Sequence, residues 1–114
     1  MKNYINIFKS LSDANRLRIL RMLSQRPLCV CEISDVLSLA NSTVSQHLSI
    51  LRKDGFIFEE RNGKWINYAP NYKSEDARVI AVLTSLDFWI GDLEIVEKDR
   101  IKVKAVNRNI VCRT

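Results

Sequence analysis

A mainly α-helical chain with one small β-hairpin, arranged as a winged helix-turn-helix, is the fold class this sequence predicts. Three observations carry it. Two neighbouring amphipathic segments meet at a cap near the centre, a glycine follows the second, and an Asn-Gly pair then stands between two β-prone runs. The scarcity of turn formers agrees: 3 Gly and 2 Pro among 114 residues argue against a turn-rich all-β fold and against disorder. The length suits one core and leaves little room for a two-domain enzyme.

Taken in order, Ile5, Ile7, Phe8 and Leu11 lie near helical spacing and predict a short first helix. Ser12, followed by Asp13, reads as the N-cap of a second helix that carries Leu17, Ile19, Leu20, Met22 and Leu23 and ends at Pro27. Cys29, Ile33, Val36 and Leu37 predict a third helix. Asn41 caps a fourth, with Val44, Leu48, Ile50 and Leu51 leading up to Gly55, and these two form the helix-turn-helix. Phe56-Ile57-Phe58 and Lys64-Trp65-Ile66-Asn67-Tyr68 then flank Asn62-Gly63 as a two-stranded wing. After Pro70 and Asn71 a long final helix runs from about Ser74 to about Lys98, with Val79, Ile80, Val82, Leu83, Leu86, Trp89, Ile90, Leu93 and Val96 on a wide apolar stripe. Such a stripe at a chain end predicts pairing with a second copy through the first and last helices. The segment IKVKAVNRNIVCRT alternates apolar and basic residues and reads as strand or frayed tail. The expected division is therefore a winged helix-turn-helix domain with terminal dimerisation helices over residues 1–98 and a basic C-terminal tail over residues 99–114.

Charge is unevenly spread. Residues 1–26 carry six Lys/Arg against one acid, residues 27–97 six against eleven, and residues 98–114 six against one, so the net charge of +5 resides at the two ends. A polyanionic partner fits that balance, with Lys2, Lys9, Arg16, Arg18, Arg21 and Arg26 supplying long-range attraction. No run of about 18 apolar residues and no signal-peptide pattern occurs, so a cytoplasmic location without membrane attachment is expected. Three cysteines cannot close a complete disulfide set, and in that compartment they read as thiols for metal, redox or packing.

The fourth helix offers the reading surface. With Val44, Leu48 and Leu51 on one face, Asn41, Ser42, Thr43, Ser45, Gln46 and Ser49 are left for the other, and such small polar groups approach base edges and phosphates closely. Helix N-terminal amides add a further attraction for phosphate. Arg52 and Lys53 at the helix end, with Arg61 and Lys64 about the wing tip, are placed to contact the DNA backbone. His47, the sole histidine, is expected to contact DNA or to pack at the helix; no second imidazole exists to share a metal. A thiol enzyme is disfavoured, because no general base neighbours the cysteines and no Gly-rich phosphate loop or carboxylate pair is present.

The runs LSDANRLRILRML, LCVCEI, STVSQHLSILRKDGFI and RNGKWINY resemble the ArsR/SmtB family of bacterial winged-helix repressors, over about residues 5–98. That resemblance implies a homodimer that holds double-stranded operator DNA and releases it when a metal or metalloid binds. Cys29-Val30-Cys31-Glu32 is similar to the CVC-D/E motif of the arsenic- and antimony-responsive members and of the related cadmium- and lead-responsive ones, which implies Cys29 and Cys31 as ligands and arsenite or antimonite as inducer, with no catalytic cofactor. The chain departs from the pattern in three places. Ser34 stands where arsenic sensors often have a further cysteine, no cysteine precedes Cys29, and no histidine lies on the last helix, so Asp87, Asp92, Glu94 and Glu97 read as its solvated face. Cys112 has several readings: an accessory third ligand in the same or the partner chain, a disulfide partner of Cys29 or Cys31, or neither.

Soft thiolates suit thiophilic ions. At a helix N-terminus, both Cys29 and Cys31 are expected to have lowered thiol pKa values. Residues i and i+2 of a regular α-helix lie about 200° apart around the axis, so joint ligation is expected to unwind the first turn of the third helix and shift the reading helix off its half-site. A second expectation is a redox- or reactive-sulfur-sensing repressor of the same fold, using Cys112 with one of the pair, and a third is a cadmium or lead sensor.

Overall fold

In the computed structural model, residues 2–112 are described; Met1, Arg113 and Thr114 lie outside, as do the side chains of Lys2 and Asn3. The elements follow as α1 (Lys2–Leu11), α2 (Ala14–Gln25), α3 (Val30–Leu37), α4 (Asn41–Lys53), β1 (Ile57–Asn62), β2 (Trp65–Pro70), α5 (Ala77–Ile90), α6 (Glu94–Ala105) and α7 (Arg108–Val111). This is a winged helix-turn-helix: mostly helical, with one antiparallel hairpin.

Local chemistry accounts for the boundaries. Asp13, not Ser12, caps α2, because its extended backbone lets the carboxylate accept from the N–H groups of Asn15 and Arg16 at 2.8 and 3.1 Å. Ser12 instead closes α1, its hydroxyl donating to the Phe8 carbonyl at 2.6 Å. The cap of α4 is Ala40, which provides no side-chain bond, and Asn41 is the first helical residue. Ser38 ends α3 at φ 56°, the left-handed cap that makes the helix-turn-helix corner. Gly55, at φ 84°, turns the chain out of α4 and sets Phe56 wholly inside the core, which stabilises the root of the wing by about 1.5–3 kcal/mol.

The hairpin pairs Ile57 with Pro70 through to Asn62 with Trp65. Its two-residue turn is therefore Gly63-Lys64, one position beyond the expected Asn62-Gly63. Positive φ at Gly63 alone within that turn suits a turn that needs glycine at its first central position. A short bridge adds to the sheet: the N–H of Tyr68 donates to the Leu28 carbonyl at 2.8 Å, and the N–H of Leu28 donates back at 3.2 Å.

The core gathers Ile19, Leu20, Met22 and Leu23 of α2 with Ile33 and Val36 of α3, Val44, Leu48 and Leu51 of α4, and Val79, Leu83 and Leu86 of α5. Through it runs α2, touching α1, α4, β2, α5 and α6.

The expected helix from Ser74 to Lys98 is two helices. The chain breaks at Gly91-Asp92 and α6 turns back onto α2, burying Val96, Asp99 and Val103. Residues 99–112 are accordingly neither strand nor tail: the proposed boundary at residue 98 falls inside α6, and the one-turn α7 follows. Arg18 holds α6 through a two-pronged pair with Asp99, Nε to Oδ2 at 2.8 Å and Nη2 to Oδ1 at 2.9 Å. This fold-back carries Cys112 to the start of α3.

Candidate functional site

Cys29 does not lie within the helix. Pinned by the Leu28–Tyr68 bridge just before it, Cys29 is extended (φ −93°, ψ 169°) and serves as the N-cap of α3. Its N–H donates to Glu32 Oε1 at 3.0 Å, and the Glu32 N–H faces the sulfur in return, the reciprocal arrangement of a capping box. Cys31 is the second helical residue. With one sulfur on the cap and the other on the first turn, the two Sγ atoms stand 3.7 Å apart while α3 remains regular, so the expected unwinding is not needed to bring them together.

Cys112, the C-cap of α7, completes the cluster. Its sulfur forms a disulfide with Cys31 and lies 3.5 Å from Cys29 Sγ; all three sulfurs fall within 4.8 Å of one another. Sulfurs bonded at about 2.3 Å to one tetrahedral centre stand about 3.8 Å apart, close to the two separations that involve Cys29. A soft ion therefore fits this donor set once the disulfide is reduced.

The free thiol is Cys29, which is buried. Burial pushes its pKa up, and the Glu32 carboxylate adds to that; the Glu32 N–H aimed at the sulfur and the charge of Arg108 oppose it without prevailing. The expectation of an activated thiolate at Cys29 is corrected accordingly. In the oxidised protein, Cys29 is expected to react with iodoacetamide more slowly than an unperturbed thiol near neutral pH, with the rate still rising above about pH 8.5. Alkylation followed by mass spectrometry checks this; a rate that levels off below pH 8 would contradict it.

Beside the sulfurs lies a polar hub, some of whose pairings are distant in sequence. Glu32, 1 % exposed, receives Arg26 Nη1 at 3.2 Å, and Arg26 Nη2 caps the end of α6 by donating to the carbonyls of Val103 at 2.8 Å and Val106 at 3.1 Å. One signal was available: Glu32 stands three residues after Cys29, the capping-box spacing. Ser34, in place of a further cysteine, is buried and its hydroxyl has no hydrogen-bond partner among the described residues.

On α4, Asn41, Ser42, Ser45, Gln46, Ser49, Arg52 and Lys53 face solvent, whereas Thr43 and His47 are half-buried. His47 packs rather than projects, its Nδ1 3.2 Å from Arg16 Nη1; Arg16 in turn donates to the carbonyls of Ser10 at 2.6 Å and Lys9 at 3.1 Å at the end of α1. Arg52 pairs with Glu59 of β1 at 2.7 Å and so joins the helix to the wing. Arg61 and Lys64 are exposed at the wing, and Lys64 Nζ lies 4.9 Å over the ring of Trp65. Asp87, Asp92, Glu94 and Glu97 face solvent on α5, on α6 and in the link between them.

Residues 13–58 match the family model described as bacterial regulatory protein, arsR family. The chain is 32 % identical over 109 residues to the arsenical resistance operon repressor of Escherichia coli K12, an alignment spanning 93 % of this chain and 83 % of that protein. The chain belongs to the ArsR family. It is also 40 % identical over 62 residues to the cadmium resistance transcriptional regulatory protein CadC of Listeria innocua, covering 54 % of this chain and 52 % of that one. Among solved structures it is similar to HlyU from Vibrio cholerae N16961, with a TM-score of 0.67 and 28 % identity over 80 % of this chain and 95 % of that one.

As an ArsR-family member, the chain is a DNA-binding transcriptional repressor and not an enzyme. Among the described residues, no helix is long and apolar enough to cross a membrane. The three-sulfur cluster sits at the start of α3, the first helix of the helix-turn-helix, and α4 is its second.

Proposed function

We propose that this is a cytoplasmic repressor that holds operator DNA as a homodimer and lets go when trivalent arsenic or antimony is bound by Cys29, Cys31 and Cys112. The convergence of three sulfurs within 4.8 Å carries the reading. Arsenous acid exchanges its three hydroxyls for three thiolates, each departing with a thiol proton as water, and the resulting pyramidal site requires no fourth ligand. Cys112 replaces the cysteine that Ser34 lacks.

DNA contact is assigned to Asn41, Ser42, Ser45, Gln46 and Ser49 on the exposed side of α4, with Thr43 and His47 set further back. Lys53, Arg61 and Lys64 contact phosphate, and Arg52 orients the wing through Glu59. Dimerisation is assigned to α1 and α5, where Phe8 (70 % exposed), Phe88 (80 %) and Trp89 (70 %) leave large apolar rings in water and where Tyr4, Ile7, Phe8, Arg78 and Val82 line a groove between the two helices.

A band-shift assay on the protein's own promoter, with thiols kept reduced, tests the proposal. Arsenite is expected to abolish the shifted band of the wild type, while Cys29→Ser, Cys31→Ser and Cys112→Ser retain the band at the same arsenite concentration. A wild-type complex that survives saturating arsenite would overturn it.

The Cys31–Cys112 disulfide supports a second reading, a redox-sensing repressor. Cys29→Ser separates the two, since it removes one metalloid ligand and spares the disulfide: release of that variant from DNA by peroxide but not by arsenite marks a protein that answers both.

A further inference from the structure

We infer that Arg108 is a positioning residue that passes the bonding state of Cys112 to the wing. The inference rests on the sulfur site proposed above only in that Cys112 is bonded there, and the bond to Cys31 already satisfies that condition.

The one-turn α7 buries no side chain of its own. A single turn has too few internal hydrogen bonds to persist unaided, so its placement depends on its attachments. At its end, Cys112 is tied to Cys31, and the Cys112 N–H donates to the Arg108 carbonyl at 2.9 Å. At its start, the Arg108 guanidinium reaches β2, donating from Nη1 to Asn67 Oδ1 at 3.1 Å and lying 5.2 Å over the Trp65 ring. That ring also carries the ammonium of Lys64, at the turn of the wing. Arg108 and Lys64 thus share one aromatic platform. Opening the Cys31–Cys112 link removes the covalent tie at one end of α7, shifts Arg108 away from Trp65 and Asn67, and leaves Lys64 as the cation on the ring, which alters the part of the wing assigned to phosphate. A rival route exists through the Leu28–Tyr68 bridge, which joins the chain just before Cys29 to the same strand. That bridge involves no atom of α7, so a variant at position 108 distinguishes the two.

The chain has two tryptophans, Trp65 on the wing and Trp89 on the exposed side of α5, so 5-fluorotryptophan labelling gives one reporter and one internal control. Fluorine spectra of the full chain are recorded before and after treatment with a water-soluble phosphine. The phosphine takes an oxygen from water as it is oxidised and converts the disulfide to two thiols, and thiol titration is expected to rise from one to three. The Trp65 resonance, assigned with Trp65→Phe, is expected to move on reduction while that of Trp89 stays. Arg108→Ala and Asn67→Ala are each expected to lose most of the Trp65 shift while undergoing the same change in thiol count. Far-UV circular dichroism confirms that both variants are folded. A Trp65 resonance that ignores reduction, or a full shift retained in Arg108→Ala, would overturn the inference. Arsenite added to the reduced protein provides a separate arm: if Trp65 responds to reduction but reduced protein takes up no arsenic by mass, the metalloid reading fails and the relay stands.

Discussion

Replacing Asp99 by alanine is expected to destabilise the fold by about 3–5 kcal/mol, the usual effect of removing one partner from a buried ion pair. The Asp99 side chain is 3 % exposed and that of Arg18 19 %, so Arg18 would keep its charge in a largely dry site with both of its carboxylate contacts gone. At about 4 °C or more per kcal/mol for a domain of this size, the midpoint of thermal unfolding should fall by more than about 10 °C. Urea titration gives the more direct figure. The double replacement Arg18→Met with Asp99→Leu should recover much of the loss, because it removes the stranded charge rather than exposing it. A single-variant loss below about 1 kcal/mol would mean that α6 contributes little and that residues 99–112 are an appendage after all.

Arg26→Ala is expected to have an effect of the same order, about 3–5 kcal/mol, for a related reason. Among the described residues, Glu32 would be left buried with only the Cys29 N–H as partner, and the carbonyls of Val103 and Val106 would lose the Arg26 donor. The consequence reaches the sulfurs, because Arg26 links the cap of α3 to the chain that delivers Cys112. Air oxidation of the reduced variant, followed by thiol titration, should form the Cys31–Cys112 bond more slowly than in the wild type. Glu32→Gln should be milder in both measurements, since an amide oxygen can still accept from the Cys29 N–H. Equal oxidation rates in Arg26→Ala and wild type would show that the hub does not position Cys112.

The helix-turn-helix and its wing were legible because their signals are local. The Val44, Leu48, Leu51 stripe, the glycine at 55 and the turn around Gly63 each act within a few residues. The rest depends on pairings distant in sequence. On α6 the inward stripe reads Val96, Asp99, Val103, and the acid within it hides the helical period; its partner, Arg18, lies 81 residues away. What shows instead is the alternation of Ile101, Val103 and Ala105, of which only Val103 is buried. The sulfur geometry was misjudged because the backbone of Cys29 is set by the Leu28–Tyr68 bridge, which no helical wheel contains. The short spacing of Cys29 and Cys31 is visible in the sequence, but the way their sulfurs converge depends on the wing.

The guanidinium of Arg16 spans from the last carbonyls of α1 to the imidazole of His47 on α4. In the dimer proposed through α1, with α4 as the proposed probe of the groove, that side chain would be a rivet between the arm on the twin and the probe. The stride from one half-operator to the next would then be gauged, in part, by one side chain.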